Sequence, residues 1–202
     1  MDPITDAQSQ ALIKLAGCVD PSTYLAGGVA VAIRFHHRQS RDIDLFTPSE
    51  DPSAHADVFV KTALGIVITG RSEGTLHLDV EGVPTSWLRY RYPSLSPPER
   101  IDGIPIQVAS LEDLTGMKLS AITGRGAARD FWDLHEILVS TNLALPDALQ
   151  TFRRKYATED IGHVIKSLAY FADAESEPLP RGLDAAHWER IKAEFRSWVG
   201  AL

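Results

Sequence analysis

Strand-type alternation runs through the first 109 residues of this 202-residue chain and then stops. Period-two or short apolar segments bounded by turn residues occur at 23–26, 41–47, 66–69, 75–80, 83–90 and, as IPIQVA, at 104–109. Beyond Ser110, whose S-L-E-D opening has capping-box spacing with Asp113, apolar residues recur at helical intervals. The pattern predicts helices over 111–122, 129–139, 146–156, 159–172 and 184–198. Within the first half it also predicts helices over 5–18 and 29–35, and one starting at Asp51-Pro52 and reaching about Leu64. Glu81-Gly82 has the chemistry of a two-residue hairpin turn. An antiparallel hairpin beside a strand-helix-strand unit calls for a mixed sheet. The fold class is therefore α+β, with all sheet-forming sequence in residues 1–109 and a helical region over 110–202.

Charge and cysteine content narrow the chemistry. A formal charge of -7 and a pI near 5.5 argue against a protein that coats nucleic acid by bulk electrostatics, so a nucleic-acid substrate needs a local basic patch. Cys18 is the single cysteine, which rules out an intrachain disulfide or a thiolate zinc cluster and leaves oxygen and imidazole as metal ligands. No apolar run approaches the roughly 20 residues of a membrane span, and MDPITDAQSQ lacks the basic-then-apolar order of a signal peptide. The expectation is a cytoplasmic protein with no membrane partner.

The stretch LAGGVAVAIRFHHRQSRDIDLF, residues 25–46, reads as strand, glycine turn, short helix, basic loop and second strand. Asp42 and Asp44, one residue apart on a strand, project from one face with their Cα atoms about 7 Å apart, while Ile43 and Leu45 point to the core. Alternation on a half-exposed strand would by itself account for such a pair. Two carboxylates on a rigid strand are also the oxygen donors that magnesium takes in phosphoryl and nucleotidyl transfer. Gly27-Gly28 tips the balance. A glycine turn feeding a helix presents unpaired N–H groups at the positive end of the helix dipole, with no Cβ to keep a phosphate chain away.

Ala26-Gly27-Gly28, thirteen intervening residues and Asp42-Ile43-Asp44-Leu45 resemble the hG[GS]…Dh[DE]h signature of the DNA polymerase β-like nucleotidyltransferase superfamily. Within it, the whole 25–46 stretch, the strand GVPTSWLRYRYPSL and the segment LEDLTGMKLSAITGRGAARDFWDL are similar to the AbiEii/AbiGii toxin family. The resemblance covers about residues 23–139. It implies a polymerase β-like mixed sheet flanked by helices over 1–109 and a helical region over 110–202 that completes the active-site cleft. It also implies a nucleotidyltransferase that moves NMP from an NTP to an acceptor hydroxyl. The acceptor it suggests is tRNA, with the chain acting as toxin of a type IV pair beside a separately encoded antitoxin.

Residue by residue, the resemblance makes Asp42 and Asp44 catalytic ligands of Mg2+, and gives the triphosphate to Gly27, Gly28, Arg38, Ser40 and Lys118. Lys118 lies in the apolar stripe of its helix with Leu114, Ala121 and Ile122, where snorkelling is the plain alternative. Asp130 is the third catalytic acid, orienting Lys118 or taking a proton, whereas Asp133 could simply pair with Arg129 one turn before it. Many superfamily members carry a further acid on a neighbouring strand. Here Ser86 holds that place, leaving Asp79, Glu81, Asp130 or a one-metal site as alternatives. His36 and His37 read as loop residues, His135-Glu136 lacks the second histidine of a zinc-protease motif, and Gly124-Arg125-Gly126 is a chance match to a dinucleotide fingerprint. Arg153-Arg154-Lys155 reads as an exposed basic helix face that a tRNA could meet. Two other functions fit the same sequence: an antibiotic-type small-molecule nucleotidyltransferase, suited to the acidic charge, and a catalytically degenerate nucleotide-binding or interaction module.

Overall fold

A computed structural model describes residues 3–48, 51–57 and 65–202. The chain divides into two compact units, Met1–Ser110 and Leu111–Leu202.

The first unit is built on a six-stranded mixed sheet. In chain order its elements are α1 (Asp6–Ala16), β1 (Tyr24–Ala26), α2 (Gly27–Phe35), β2 (Ile43–Thr47), a 3₁₀ turn (Pro52–His55), β3 (Ile66–Ser72), β4 (Thr75–Val80), β5 (Val83–Arg89) and β6 (Gln107–Val108). The strands lie in the order β3-β4-β5-β2-β1-β6. β3, β4 and β5 form an antiparallel meander, whereas β2 pairs parallel to β5 and antiparallel to β1. Glu81 and Gly82 both have positive φ, 52° and 86°, as a type I′ turn requires, and this closes β4 on β5 without a bulge.

Alternation sorts the sheet into two faces. Ile43 and Leu45 of β2, Leu76, Leu78 and Val80 of β4, and Trp87 of β5 are buried. Asp44 and Phe46, Ser86 and Leu88, and Asp79 are only half-buried on the other face, and His77 is exposed there. A one-residue slip would exchange these sets, so burial itself fixes the register.

Three expected elements differ in extent. The strand expected over 104–109 is confined to Gln107–Val108: Pro105 has no N–H to give a ladder, and Ile104 N–H turns back to the carbonyl of Ile101. The helix expected from Asp51 begins as the 3₁₀ turn, with the Asp51 carboxylate accepting from Ser53 N–H at 2.9 Å and Gly74 N–H at 3.0 Å. Its continuation over 58–64 lies outside the described residues.

The second unit contains α3 (Leu111–Arg125), α4 (Ala128–Thr141), α5 (Leu145–Tyr156), α6 (Gly162–Leu168), α7 (Ala172–Glu175) and α8 (Ala185–Gly200). Phe131 sits at its centre, 5.1 Å from Phe171, 5.9 Å from Trp188 and 5.4 Å from Phe195, ring to ring. The single helix expected over 159–172 is broken into α6 and α7. The Asp160 carboxylate caps Gly162 N–H at 3.1 Å, delaying the start, and the chain leaves helical geometry at Ala169, just before the Phe171 ring enters this cluster. Among the described residues no helix is long and apolar enough to cross a membrane.

Candidate active site

The strand-turn-helix at Gly27-Gly28 gathers most of the residues expected to bind nucleotide. Gly27 has φ +67°, a conformation open to glycine at little cost. It places the Asp44 carboxylate directly against the turn: a methyl group built on Gly27 would lie 2.1 Å from Asp44 Oδ2. The sheet register accounts for this closeness, since Asp44 is the β2 partner of Ala26. A methyl group on Gly28 would meet Arg38 Nη2 and Ser40 Oγ, each at 2.6 Å. Gly27, Gly28, Arg38, Ser40 and Asp44 therefore converge on one small concavity.

At its floor is the N-terminus of α2. Ala26 has no side chain to cap it, and the first turn contains no acidic residue. A helix start of this kind, with its leading N–H groups and the positive end of its dipole, suits an anion. Arg38 is 5% exposed yet carries its charge to this edge, with Nη1 donating to the Gln39 carbonyl at 3.0 Å. The loop bearing Arg38 and Ser40 is held from α1: buried Gln8 donates through Nε2 to the carbonyls of Ser40 at 2.7 Å and Arg41 at 3.1 Å. Gln8 also completes a capping box with Thr5. Replacing Gln8 with alanine leaves these carbonyls short of a donor, and chemical denaturation is expected to show a loss of about 1–3 kcal/mol.

Asp42 is exposed and lies one residue before β2, two positions from Asp44 and opposite in phase to buried Ile43. The oxygen donors of Asp42 and Asp44 suit a hard divalent cation, and the glycine seat beside them suits its phosphate counterpart. Ser86 is the β5 partner of Asp44, so the place next to the inner aspartate holds a hydroxyl. Of the three acids suggested as substitutes, the two in this unit are not beside Asp44 in register: Asp79 pairs with Pro84 and accepts from Gly82 N–H at 2.7 Å, and Glu81 is paired with Lys14. Among the described residues no three His, Cys, Asp or Glu side chains are grouped to hold a metal ion. A cavity of 540 Å3 opens at the opposite end of β1, beside Thr23 and Gln107, and contains none of these residues.

Lys118 and Asp130 belong to the helical unit, in a charge cluster of their own. Lys118 Nζ lies 3.1 Å from Asp130 Oδ1 and 2.6 Å from Asp133 Oδ2, all three side chains being at most 5% exposed. Arg125 adds a bidentate contact to Asp130, Nε to Oδ2 at 2.7 Å and Nη2 to Oδ1 at 2.8 Å. Burial alone pushes the Asp130 carboxyl up, but the charge of Lys118 and the hydrogen bonds and charge of Arg125 outweigh it and hold the group below the ordinary carboxylate value. A carboxylate so held orients Lys118 and is a poor proton acceptor. Asp133 serves Lys118 across the α3–α4 turn, in contrast to the i, i+4 pairing with Arg129.

Sequence reasoning did not single out Arg125 as a partner of Asp130, nor His77. His77 is the β4 partner of Ser86, with Nδ1 3.1 Å from Ser86 Oγ. Counting outward from Glu81-Gly82 would have found it, since His77 lies four residues before the turn and Ser86 four after. The basic run at 153–155 also resolves differently from its expectation as an exposed face: Lys155 is 1% exposed, its ammonium 2.6 Å from Asp113 Oδ1, and Arg154 pairs with Glu112.

Residues 18–199 match the family model described as nucleotidyl transferase AbiEii toxin, type IV TA system. A protein of Aquifex aeolicus (strain VF5), the uncharacterized protein aq_aa25, is 32% identical over 192 residues, covering 94% of this chain and 91% of its own. Among solved structures, MenT4, a nucleotidyltransferase toxin from Mycobacterium tuberculosis H37Rv, superposes with a TM-score of 0.66 at 17% identity, covering 97% of this chain and 82% of its own. JHP933 from Helicobacter pylori gives a TM-score of 0.58 at 18% identity, covering 96% and 88%. At such identities these two likenesses establish the shared α+β fold, while the family match extends over most of the chain. The chain belongs to the AbiEii nucleotidyltransferase toxin family, and by that membership is a nucleotidyltransferase.

Proposed function

We propose that this nucleotidyltransferase transfers NMP from an NTP to an acceptor hydroxyl on tRNA, in the cytoplasm, as the toxin of a type IV pair with a separately encoded antitoxin. The observation that carries the reading is the seating of the Asp44 carboxylate against Gly27, with Arg38 and Ser40 against Gly28, at an uncapped helix N-terminus. Here a polyphosphate finds backbone donors and a guanidinium within reach of two carboxylates. Asp42 and Asp44 would hold Mg2+, which neutralises polyphosphate charge and stabilises the charge that develops at the α-phosphorus.

Gly27 and Gly28 let the phosphates approach the backbone, Ser40 offers a hydroxyl, and Arg38 balances the pyrophosphate as it departs. The family resemblance assigns the ammonium of Lys118 to the triphosphate as well, with Asp130 and Asp133 holding it in place. Catalysis on this plan is positioning and charge neutralisation.

The test incubates the protein with each labelled NTP in turn, magnesium and total tRNA. Label should enter tRNA with one preferred NTP and fall at least about tenfold in Asp42→Asn, with chelation of the divalent ion having the same effect. Label entering only an aminoglycoside-like acceptor would replace tRNA with a small molecule. NTP binding without transfer to any acceptor would replace the enzyme with a binding module.

A further inference from the structure

Building on the nucleotidyl-transfer reading, we infer that Ser86 and His77 form the path by which the acceptor hydroxyl loses its proton, standing where a third carboxylate would otherwise be. Three registers establish the row. Ala26 pairs with Asp44, Asp44 with Ser86, and Ser86 with His77, so the four residues follow one another across β1, β2, β5 and β4 on the same face of the sheet. Neighbouring strands are spaced by about 4.8 Å, which puts Ser86 one strand from the inner aspartate and His77 two. The row is continuous in hydrogen bonding at its outer end, where His77 Nδ1 meets Ser86 Oγ at 3.1 Å.

Chemistry assigns the direction of transfer. A serine hydroxyl is at once donor and acceptor, and a neutral imidazole carrying its proton on Nε2 accepts at Nδ1. As the acceptor oxygen bonds to the α-phosphorus, its proton passes to Ser86 Oγ while the Ser86 proton passes to His77 Nδ1. The bond from the α-phosphorus to the bridging oxygen breaks, and pyrophosphate leaves with the electron pair. His77 is exposed, so the imidazolium returns its surplus proton to solvent through Nε2.

Among the described residues, the nearest acids to His77 by register on this face are Asp79 and Asp44. Asp79 lies two residues along its own strand, with one oxygen engaged by Gly82 N–H, and Asp44 lies beyond Ser86 on β2, while on β3 its partner is Gly70. The carboxylate alternatives are ill suited to the same task. Asp130 is fully buried and doubly held by Arg125 and Lys118, while Asp79 and Glu81 are engaged at the hairpin.

The test measures steady-state transfer to the acceptor found for the wild type, alongside affinity for a nonhydrolysable NTP by calorimetry. His77→Ala should lower kcat by roughly 10²-fold, with NTP affinity within twofold of wild type, since proton transfer by a positioned side chain contributes about that much or more. Added imidazole should restore part of the rate in His77→Ala and none in Ser86→Ala, because only the former leaves a hole that imidazole can fill with a base. Far-ultraviolet circular dichroism on both variants verifies folding, and His77→Gln supplies the hydrogen-bonding control without a base.

A His77→Ala variant with kcat within threefold of wild type overturns the proton path alone. So does a slow variant that imidazole fails to rescue. A wild-type chain that transfers nothing to any acceptor overturns the nucleotidyl-transfer reading and takes the proton path with it.

Discussion

Gly27→Ala is expected to reduce nucleotide transfer by about 10³-fold while leaving the chain folded. A misplacement of about 1 Å at reacting groups already costs roughly 10²-fold, and this substitution displaces more than one group. The new methyl would lie 2.1 Å from Asp44 Oδ2, 2.9 Å from Cγ and 3.0 Å from Cβ, so the whole side chain must move, not only its carboxylate. Its backbone does not readily follow, because Asp44 is clamped between Ala26 on one side and Ser86 on the other. Alanine at φ +67° adds a left-handed strain of about 1–2 kcal/mol, which the turn can relieve only by shifting the N–H groups proposed to receive phosphate.

Gly28→Ala separates these contributions. There the methyl meets only the ends of flexible side chains, Arg38 Nη2 and Ser40 Oγ, and no positive φ is involved. The Gly28 variant should raise KM for the NTP with a modest fall in kcat, whereas the Gly27 variant should lose kcat. Steady-state kinetics with the preferred NTP distinguishes the two, and equal losses would show that the turn acts only as a spacer.

These residues show where sequence is sufficient and where it is not. The turn at the glycine pair and the alternation through Asp42-Ile43-Asp44 could be read directly, because strand period and turn chemistry are local. Ser86 opposite Asp44 depends on parallel pairing between β2 and β5, separated by some forty residues of chain, and came from the family resemblance rather than from spacing. His77 was within reach, since a two-residue turn dictates cross-strand partners. The partners of charged side chains in the helical unit were not. Asp133 has Arg129 at a suitable helical spacing, but a buried lysine across the interhelical turn at Gly126, φ +58°, offers an ion pair that water does not weaken. Lys155 looked like part of a basic surface run, yet its stem lies on the bare backbone of Gly116, its Cδ 2.9 Å from where a Cβ would be, and its ammonium reaches Asp113. Helix packing decides such contacts, and no single helix records them.

Lys118→Met should destabilise the protein by about 3–5 kcal/mol at neutral pH, the range for breaking a buried ion pair from one side. The substitution keeps the stem and removes the charge, taking from Asp130 and Asp133 the ammonium that both of them contact. Acid should narrow the difference for two reasons of known sign. In the wild type the charges of Lys118 and Arg125 hold the folded Asp130 carboxyl below the ordinary carboxylate value despite its burial, so its contribution is fully present above the unfolded value and is lost as pH falls through the folded one. In the variant Asp130 loses the lowering charge of Lys118 while burial and the neighbouring Asp133 still push it up, so its protonation relieves the repulsion at a higher pH than in the wild type. Urea denaturation at pH 7 and again near pH 4.5 reads this directly, with a clearly smaller gap expected at the lower pH. A gap that stayed constant would mean that lost packing around the lysine stem, rather than charge, carries the effect. The cluster would then be a piece of the hydrophobic core that happens to contain ions, and orienting the ammonium of Lys118 would not be what Asp130 and Asp133 do.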